Sequence, residues 1–143
     1  MMLLDANLLL YAYNPRSKEH AQARRWLEES FSGTEPVRLT WLSLWAFLRI
    51  STNPRIFERP FSSEEAGAIV ASWLARPETV ILEPGERHHE ILRGLLIDSQ
   101  ATGPLVMDAA LAAIAIEHGA TLCTTDRDFS RFDGLSWKNP LRP

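Results

Sequence analysis

Cysteine occurs once in the 143 residues, at Cys123, so no internal disulfide can form. That thiol lies in the apolar run Thr121-Leu122-Cys123-Thr124 and is expected to behave as a small buried hydrophobe, in keeping with a cytoplasmic chain. No stretch approaches the roughly 18 uncharged apolar residues of a membrane span, and no basic flank with a long apolar run precedes a small-residue cleavage site, so neither membrane insertion nor export is expected. Zinc is equally poorly served: His88-His89 lacks the spacing of a helical metal pair, and His118 beside Gly119 reads as a helix C-terminal residue. Positive charge is not in excess. The formal net charge is −3, which excludes a protein that coats nucleic acid through bulk charge. Lysine is scarce as well; of fifteen basic residues only Lys18 and Lys138 are lysine, and the rest are arginine, which favours bidentate contacts with phosphate. Repeats, low-complexity tracts and a second-domain boundary are absent, so residues 1–143 are expected to form one domain, large enough to bury about 68–70% of its unfolded surface.

What the chain does have is an opening apolar run that stops on a carboxylate, Met2-Leu3-Leu4-Asp5. A strand ending in Asp and followed at once by a helix places the acid at the C-terminal edge of a sheet, where open α/β folds build their sites. The alternation then continues. Strands are expected at 2–5, 37–40, 80–82 and 121–124, with a last extended piece at 135–137. Helices are expected at 7–13, at 17–31 with Ser17 as cap and Gly33 as stop, and from a Ser43 cap to the Asn53-Pro54 break. Ser62 and Glu65 have the spacing of a capping box before 66–74; further helices are expected at 86–98 and 108–118, the latter ended by Gly119. A short helix should run through Phe132. Strands alternating with helices imply a mostly parallel sheet covered on both faces.

In such a fold Asp5, Asp108 and Asp126 can converge, because strand ends and helix starts share one edge. Carboxylates without an obvious basic partner ask for a hard cation such as Mg²⁺ or Mn²⁺, which would activate water and stabilise a departing oxygen in phosphodiester hydrolysis. Each acid has a plainer reading as a helix cap, Asp128 included, and Asn7 as a turn residue. Arg24, Arg25, Arg49, Arg55, Arg59, Arg87 and Arg93 can grip a phosphate backbone or form solvated surface, and Arg49 and Arg55 flank the Asn53-Pro54 turn. Trp41 and Trp45, spaced i,i+4, are expected in the core, with a partner groove as the alternative; Trp26 and Trp73 admit the same two readings.

The chain resembles the PIN-domain nucleases, and among them the VapC-type toxins of bacterial toxin–antitoxin pairs. The resemblance rests on Asp5-Ala6-Asn7-Leu8-Leu9-Leu10-Tyr11-Ala12, on Phe47-Leu48-Arg49-Ile50-Ser51-Thr52-Asn53-Pro54-Arg55, and on Thr125-Asp126-Arg127-Asp128-Phe129 with Trp137-Lys138-Asn139-Pro140-Leu141, in that order along essentially the whole length. It implies a three-layer α/β/α fold and a Mg²⁺-dependent endoribonuclease, with Mn²⁺ as substitute, acting on structured RNA such as tRNA or rRNA. The family's acids fall on Asp5, Asp108 and Asp126, with Asp128 as a frequent fourth metal ligand. Asn7 matches the polar residue that steadies the site, and Thr124 or Thr125 is placed to orient a water. Arg49, Arg55 and Arg87 are the candidates for RNA contact. Expected partners are the RNA, a VapB-type antitoxin on an apolar groove beside the site, and a second copy of the chain. One departure stands out: Ala46 occupies the place where many relatives carry a Glu before a Phe-Leu-Arg-like sequence, with Glu90 or Asp128 as possible compensation. A degraded binding module of the same fold is therefore a second reading, and a phosphoaspartate receiver, which would need a lysine near the acids, a third.

Overall fold

The computed structural model describes residues 1–142. Five short strands, β1 (Met2–Leu4), β2 (Val37–Leu39), β3 (Val80–Ile81), β4 (Thr121–Cys123) and β5 (Trp137–Lys138), form one all-parallel sheet in the order β3-β2-β1-β4-β5. The connections are helical: α1 (Ala6–Tyr13), α2 (His20–Ser32), α3 (Trp41–Ser51), α4 (Ser63–Leu74), α5 (His88–Ser99) and α6 (Leu105–His118), with a 3-10 turn at Arg127–Arg131 before β5. From β1 the sheet grows one way through β2 and β3, and the other way through β4 and β5. The strand order thus reverses between β1 and β4, and open α/β sheets bind ligands at the carboxyl ends of the strands at that switch point.

Alternation along the strands builds the layers. Met2 and Leu4 face one core with Leu8, Leu9, Leu27, Phe47 and Trp73, drawn from α1 to α4, whereas Leu3 faces a second core with Leu95, Ile114 and Phe129, drawn from α5, α6 and the 3-10 turn. Leu122 and Cys123 divide between the two cores in the same way. Both sheet faces are therefore covered, and the strands read as apolar runs because they are buried on both sides. Cys123 is fully buried, and desolvation pushes its thiol up to about 11. Among the described residues no helix is long and apolar enough to cross a membrane.

Several boundaries differ from the sequence expectation, each for a local reason. Helix α3 is capped by Thr40 and not Ser43: the Thr40 Oγ1 accepts from the Ser43 backbone N–H at 3.1 Å, so the helix starts directly off β2. Helix α6 begins at Leu105, three residues before Asp108, because Pro104 is pre-set for a helix start and left-handed Gly103 turns the chain into it. Helix α5 starts at His88 and not at residue 86; the backbone N–H groups of Gly85 and Arg87 are taken by the Glu117 carboxylate at 2.8 and 3.0 Å, which holds 85–87 as a turn. Helix α2 starts at His20, since Ser17 closes a local turn onto the Glu19 backbone N–H instead of capping a helix. The last strand starts two residues later than expected and ends one later, at Trp137–Lys138. Three signals stand as read: the Ser62–Glu65 capping box, the Gly33 stop, and left-handed Gly119 after α6.

The tryptophans divide. Trp73 is buried, in edge contact with Phe47 at 4.8 Å between ring centroids. Trp41 and Trp45 are not core residues: they are 38% and 58% exposed and stack on each other at 6.4 Å. Leu44, Phe47 and Ser51 take the inward stripe of α3, which turns the i,i+4 tryptophan pair to its flank.

Candidate active site

A hollow of about 750 Å³ opens at the switch point and is lined on its polar side by Asp5, Asn7, Asp108 and Asp126. Three elements deliver the acids. Asp5 follows β1 and caps α1, its Oδ1 accepting the Ala6 backbone N–H at 2.7 Å. Asp126 follows β4 and caps the 3-10 turn, its Oδ1 accepting from the Asp128 N–H at 2.8 Å. Asp108 stands in the first turn of α6, which brings it across the crevice from the other two. Two of the three are caps, and the capping bond is what aims each carboxylate.

One hydroxyl organises the sheet side of the site. Register pairs Leu4 with Cys123, so the next residues on the two strands, Asp5 and Thr124, lie side by side. Thr124 is fully buried; its Oγ1 donates to Asp5 Oδ2 at 2.8 Å and accepts from Asn7 Nδ2 at 3.2 Å and from the Asp126 backbone N–H at 3.0 Å. A hydroxyl offers one donor and two acceptor sites, and here all three are used. Asn7, Asp5 and the start of the Asp126 loop are locked through a single side chain. The remaining Asn7 oxygen, Oδ1, is buried without a hydrogen-bond partner.

The electrostatics are those of a site short of positive charge. Burial holds the Asp5 carboxyl above the ordinary carboxylate range, against the opposing bonds from Thr124 and Ala6 and with the Asp126 charge adding to the rise. Asp108 is raised to about 6, first by desolvation and then by Asp5, Asp126 and Asp128, with only Arg131 opposing. No Lys or Arg pairs with any of the three within 4.0 Å among the described residues.

This donor set fits a hard cation. It is all oxygen, it carries unneutralised charge, and it includes a buried amide oxygen with nothing to bind. The acids are not drawn into a closed cage: no three Asp, Glu, His or Cys side chains among the described residues are grouped as ready-made ligands. An open arrangement of few carboxylates suits an ion that keeps part of its water shell.

The other candidate residues are placed as follows. Asp128 is exposed, lies outside the hollow and pairs with Arg131 at 3.7 Å, acting on Asp108 through its field. Thr125 points to a neighbouring hollow. Arg49 lines the acidic hollow on the α3 side; Arg55, in the turn after α3, and Arg87, before α5, do not. Ala46 also lines it, so α3 contributes no carboxylate there, and Glu90, exposed on α5, is not brought to it. The apolar groove expected beside the site is a wall that faces the acids, formed by Leu10, Leu42, Trp45, Ile50, Met107 and Leu111, of which sequence reasoning singled out Trp45 alone. Those residues come from three helices, and no single helical period marks them as one surface.

Fold and switch-point hollow lined by three acids together define an α/β domain with an acidic cleft, and residues 2–135 match the family model of the PIN domain; the chain belongs to that family. Its relatives are specific. It is 43% identical to Ribonuclease VapC37 of Mycobacterium tuberculosis over 98% of this chain and 97% of that protein, and 41% identical to Ribonuclease VapC43 of the same organism over 99% and 96%. Among solved structures it is similar to VapBC2 from Rickettsia felis bound to a promoter DNA fragment (TM-score 0.69, 18% identity, 96% of this chain and 97% of that one). It is also similar to Mycobacterium tuberculosis VapC20, a sarcin-ricin loop cleaving toxin (TM-score 0.68, 17% identity, 95% and 99%).

Proposed function

We propose that this chain is an endoribonuclease, the toxin component of a VapBC-type pair, acting in the cytoplasm on structured RNA such as tRNA or rRNA. The observation that carries the reading is the convergence of Asp5, Asp108 and Asp126 on one hollow without a basic partner, locked on its sheet side by Thr124. Full-length relatives named as VapC ribonucleases support it. Asp5, Asp108 and Asp126 would hold Mg²⁺ or Mn²⁺, with Asp128 tuning the field. Such an ion, when bound, would supply an activated water and a counter-charge for the departing oxygen. The chain's own residues do the rest. Thr124 and Asn7 fix Asp5 against rotation, the Asp126 loop hangs from the same hydroxyl, and Arg49 on the far wall offers a charge-assisted contact to a scissile-strand phosphate. No side-chain nucleophile is required.

Two partners follow. The apolar wall beside the acids, continuous with the exposed Trp41–Trp45 stack, fits a helix of a VapB-type antitoxin, which would close the hollow to RNA. A second copy of the chain completes the expected assembly. One observation favours a second reading: Ala46 leaves the α3 wall without a carboxylate, which would suit a binding module that engages RNA or antitoxin without turnover.

Incubating total RNA with purified, antitoxin-free protein in Mg²⁺, Mn²⁺ or EDTA separates the two. Discrete metal-dependent fragments, lost in Asp5→Asn and Asp108→Asn, are the expected result. Intact RNA with folded protein in every condition would establish the binding module and make Ala46→Glu the variant to build.

A further inference from the structure

A second hollow, of about 420 Å³, lies between α1, α2 and the segment after β5, and it is lined by Tyr11, Lys18, Glu19, Gln22, Thr125 and Arg142 among others. We propose that it is a subsite for the ribose-phosphate of the nucleotide adjoining the one over the acids, so that a single RNA strand crosses from Asp108 past Asp126 onto Lys18 and Arg142. This rests on the ribonuclease reading above and assigns the path of its substrate.

Continuity is the first support. The loop after β4 turns Asp126 into the acidic hollow and the preceding Thr125 into this one; α1 turns Asn7 and Leu10 into the first and Tyr11 into the second. The two linings have no residue in common; the hollows are linked through these sequence neighbours, Leu10–Tyr11 and Thr125–Asp126, which stand about 3.8 Å apart along the chain. The volume falls within the roughly 300–1,000 Å³ of ordinary ligand sites.

Chemistry is the second. The acidic hollow repels a polyanion, and Arg49 is the sole basic residue lining it. Here two cations from opposite ends of the chain, Lys18 and Arg142, meet over one cavity, both exposed and neither within 4.0 Å of an acidic group among the described residues. The arrangement is built. Gln22 Nε2 donates to the Leu141 carbonyl at 2.7 Å, the Leu141 N–H donates to Asn139 Oδ1 at 3.0 Å, and the Leu141 side chain is buried in the core, which fixes Arg142 beside α2. Glu19 is the one acid in the lining among the described residues. Its carboxylate is oriented by the Ser17 hydroxyl at 2.6 Å, and its free lone pairs are acceptors for a ribose 2′-hydroxyl, a donor that DNA lacks.

The test uses Lys18→Ala/Arg142→Ala, whose side chains are surface-exposed, with a thermal melt to show that the fold is kept. Binding of a 5′-fluorescein single-stranded oligoribonucleotide is followed by anisotropy in EDTA across a salt series, and cleavage of the same RNA is followed in Mg²⁺. The double variant is expected to bind about tenfold more weakly and to lose about 0.7 from the slope of log affinity against log salt, the share of the one phosphate that the subsite holds. KM should rise with kcat unchanged, and Lys18→Arg/Arg142→Lys should restore affinity, salt slope and KM. Wild-type affinity and slope in the double variant, or no binding by the wild type, would overturn the subsite. If the wild type binds with the expected slope loss in the double variant but cleaves neither this RNA nor total RNA in Mg²⁺ or Mn²⁺, the subsite stands and the ribonuclease reading falls.

Discussion

Asp5 and Asp108 face the same hollow, and both are held above the ordinary carboxylate range, yet they are held in opposite ways. Asp5 has a hydrogen bond to each oxygen, from Ala6 and from Thr124, and sits where two strand ends meet. Asp108 accepts no side-chain or capping bond and projects from a helix into the field of three other acids. One carboxylate is positioned by bonds and the other by packing alone, so the first should be sensitive to the integrity of its network and the second to charge. That contrast suggests that the β1–β4 edge is the rigid half of the site and α6 the half that answers to a ligand.

The largest effect should come from deleting either charge. Asp5→Asn and Asp108→Asn are each expected to lower kcat/KM by about 10³-fold, on the view that each supports several kcal/mol of transition-state stabilisation. The contrast appears in their melts. Asp108→Asn should raise the melting temperature of the metal-free protein, by removing a poorly solvated charge from a like-charged cluster, whereas Asp5→Asn, which disturbs the acceptor of Thr124, should not. Equal shifts would break the comparison.

Next comes the hydroxyl. Thr124→Val retains the shape but leaves Asn7 Nδ2 and the Asp126 N–H without their acceptor and Asp5 Oδ2 without its donor. A loss of about 1–3 kcal/mol in stability and about 10–100-fold in activity is expected, with Thr124→Ser near wild type. Denaturant unfolding and initial rates measure both, and a silent Thr124→Val would remove Thr124 as the organiser.

Divalent metal should act mainly through Asp108. Mg²⁺ is expected to raise the melting temperature of the wild type in proportion to log concentration once above its Kd, and much less in Asp108→Asn. A differential scanning fluorimetry titration reads this directly. An identical rise in both proteins would place the ion elsewhere.

The smallest effect is the pH dependence. Because the Asp108 carboxyl is raised to about 6, the folded state binds its proton more tightly than the unfolded chain does. Its contribution to stability is therefore present at pH values below the ordinary carboxylate range and is lost as pH rises through about 6. Taken as the difference between wild type and Asp108→Asn in EDTA, the variant should lead at pH 8 and the gap should close towards pH 4. A gap that widened on acidification would reverse the sign of the argument.

Much of this arrangement was legible beforehand, and the residues show why. Asp5 could be read from a strand that ends on an acid, Gly119 and the Ser62–Glu65 box from local capping chemistry, and the parallel sheet from alternating elements. These signals are short-range. The role of Thr124 needed the register of β1 on β4, which no local pattern encodes, and the meeting of Lys18 with Arg142 needed the whole fold. Trp41 and Trp45 misled because i,i+4 spacing tells that two side chains share a face but not which way that face points. The starts of α3 and α6 moved because Thr40 and Pro104 compete with Ser43 and Asp108 for the cap, a contest settled by how closely each strand or loop abuts its helix.

Cys123 immediately precedes Thr124 and is the sole thiol in the molecule. Sealed in the core and poorly ionised, it is out of reach of alkylating reagents while β4 stays zipped to β1 and β5. The protein thus carries its own reporter: the rate at which a maleimide modifies the native chain counts the excursions in which this strand, and the acidic edge attached to it, comes undone.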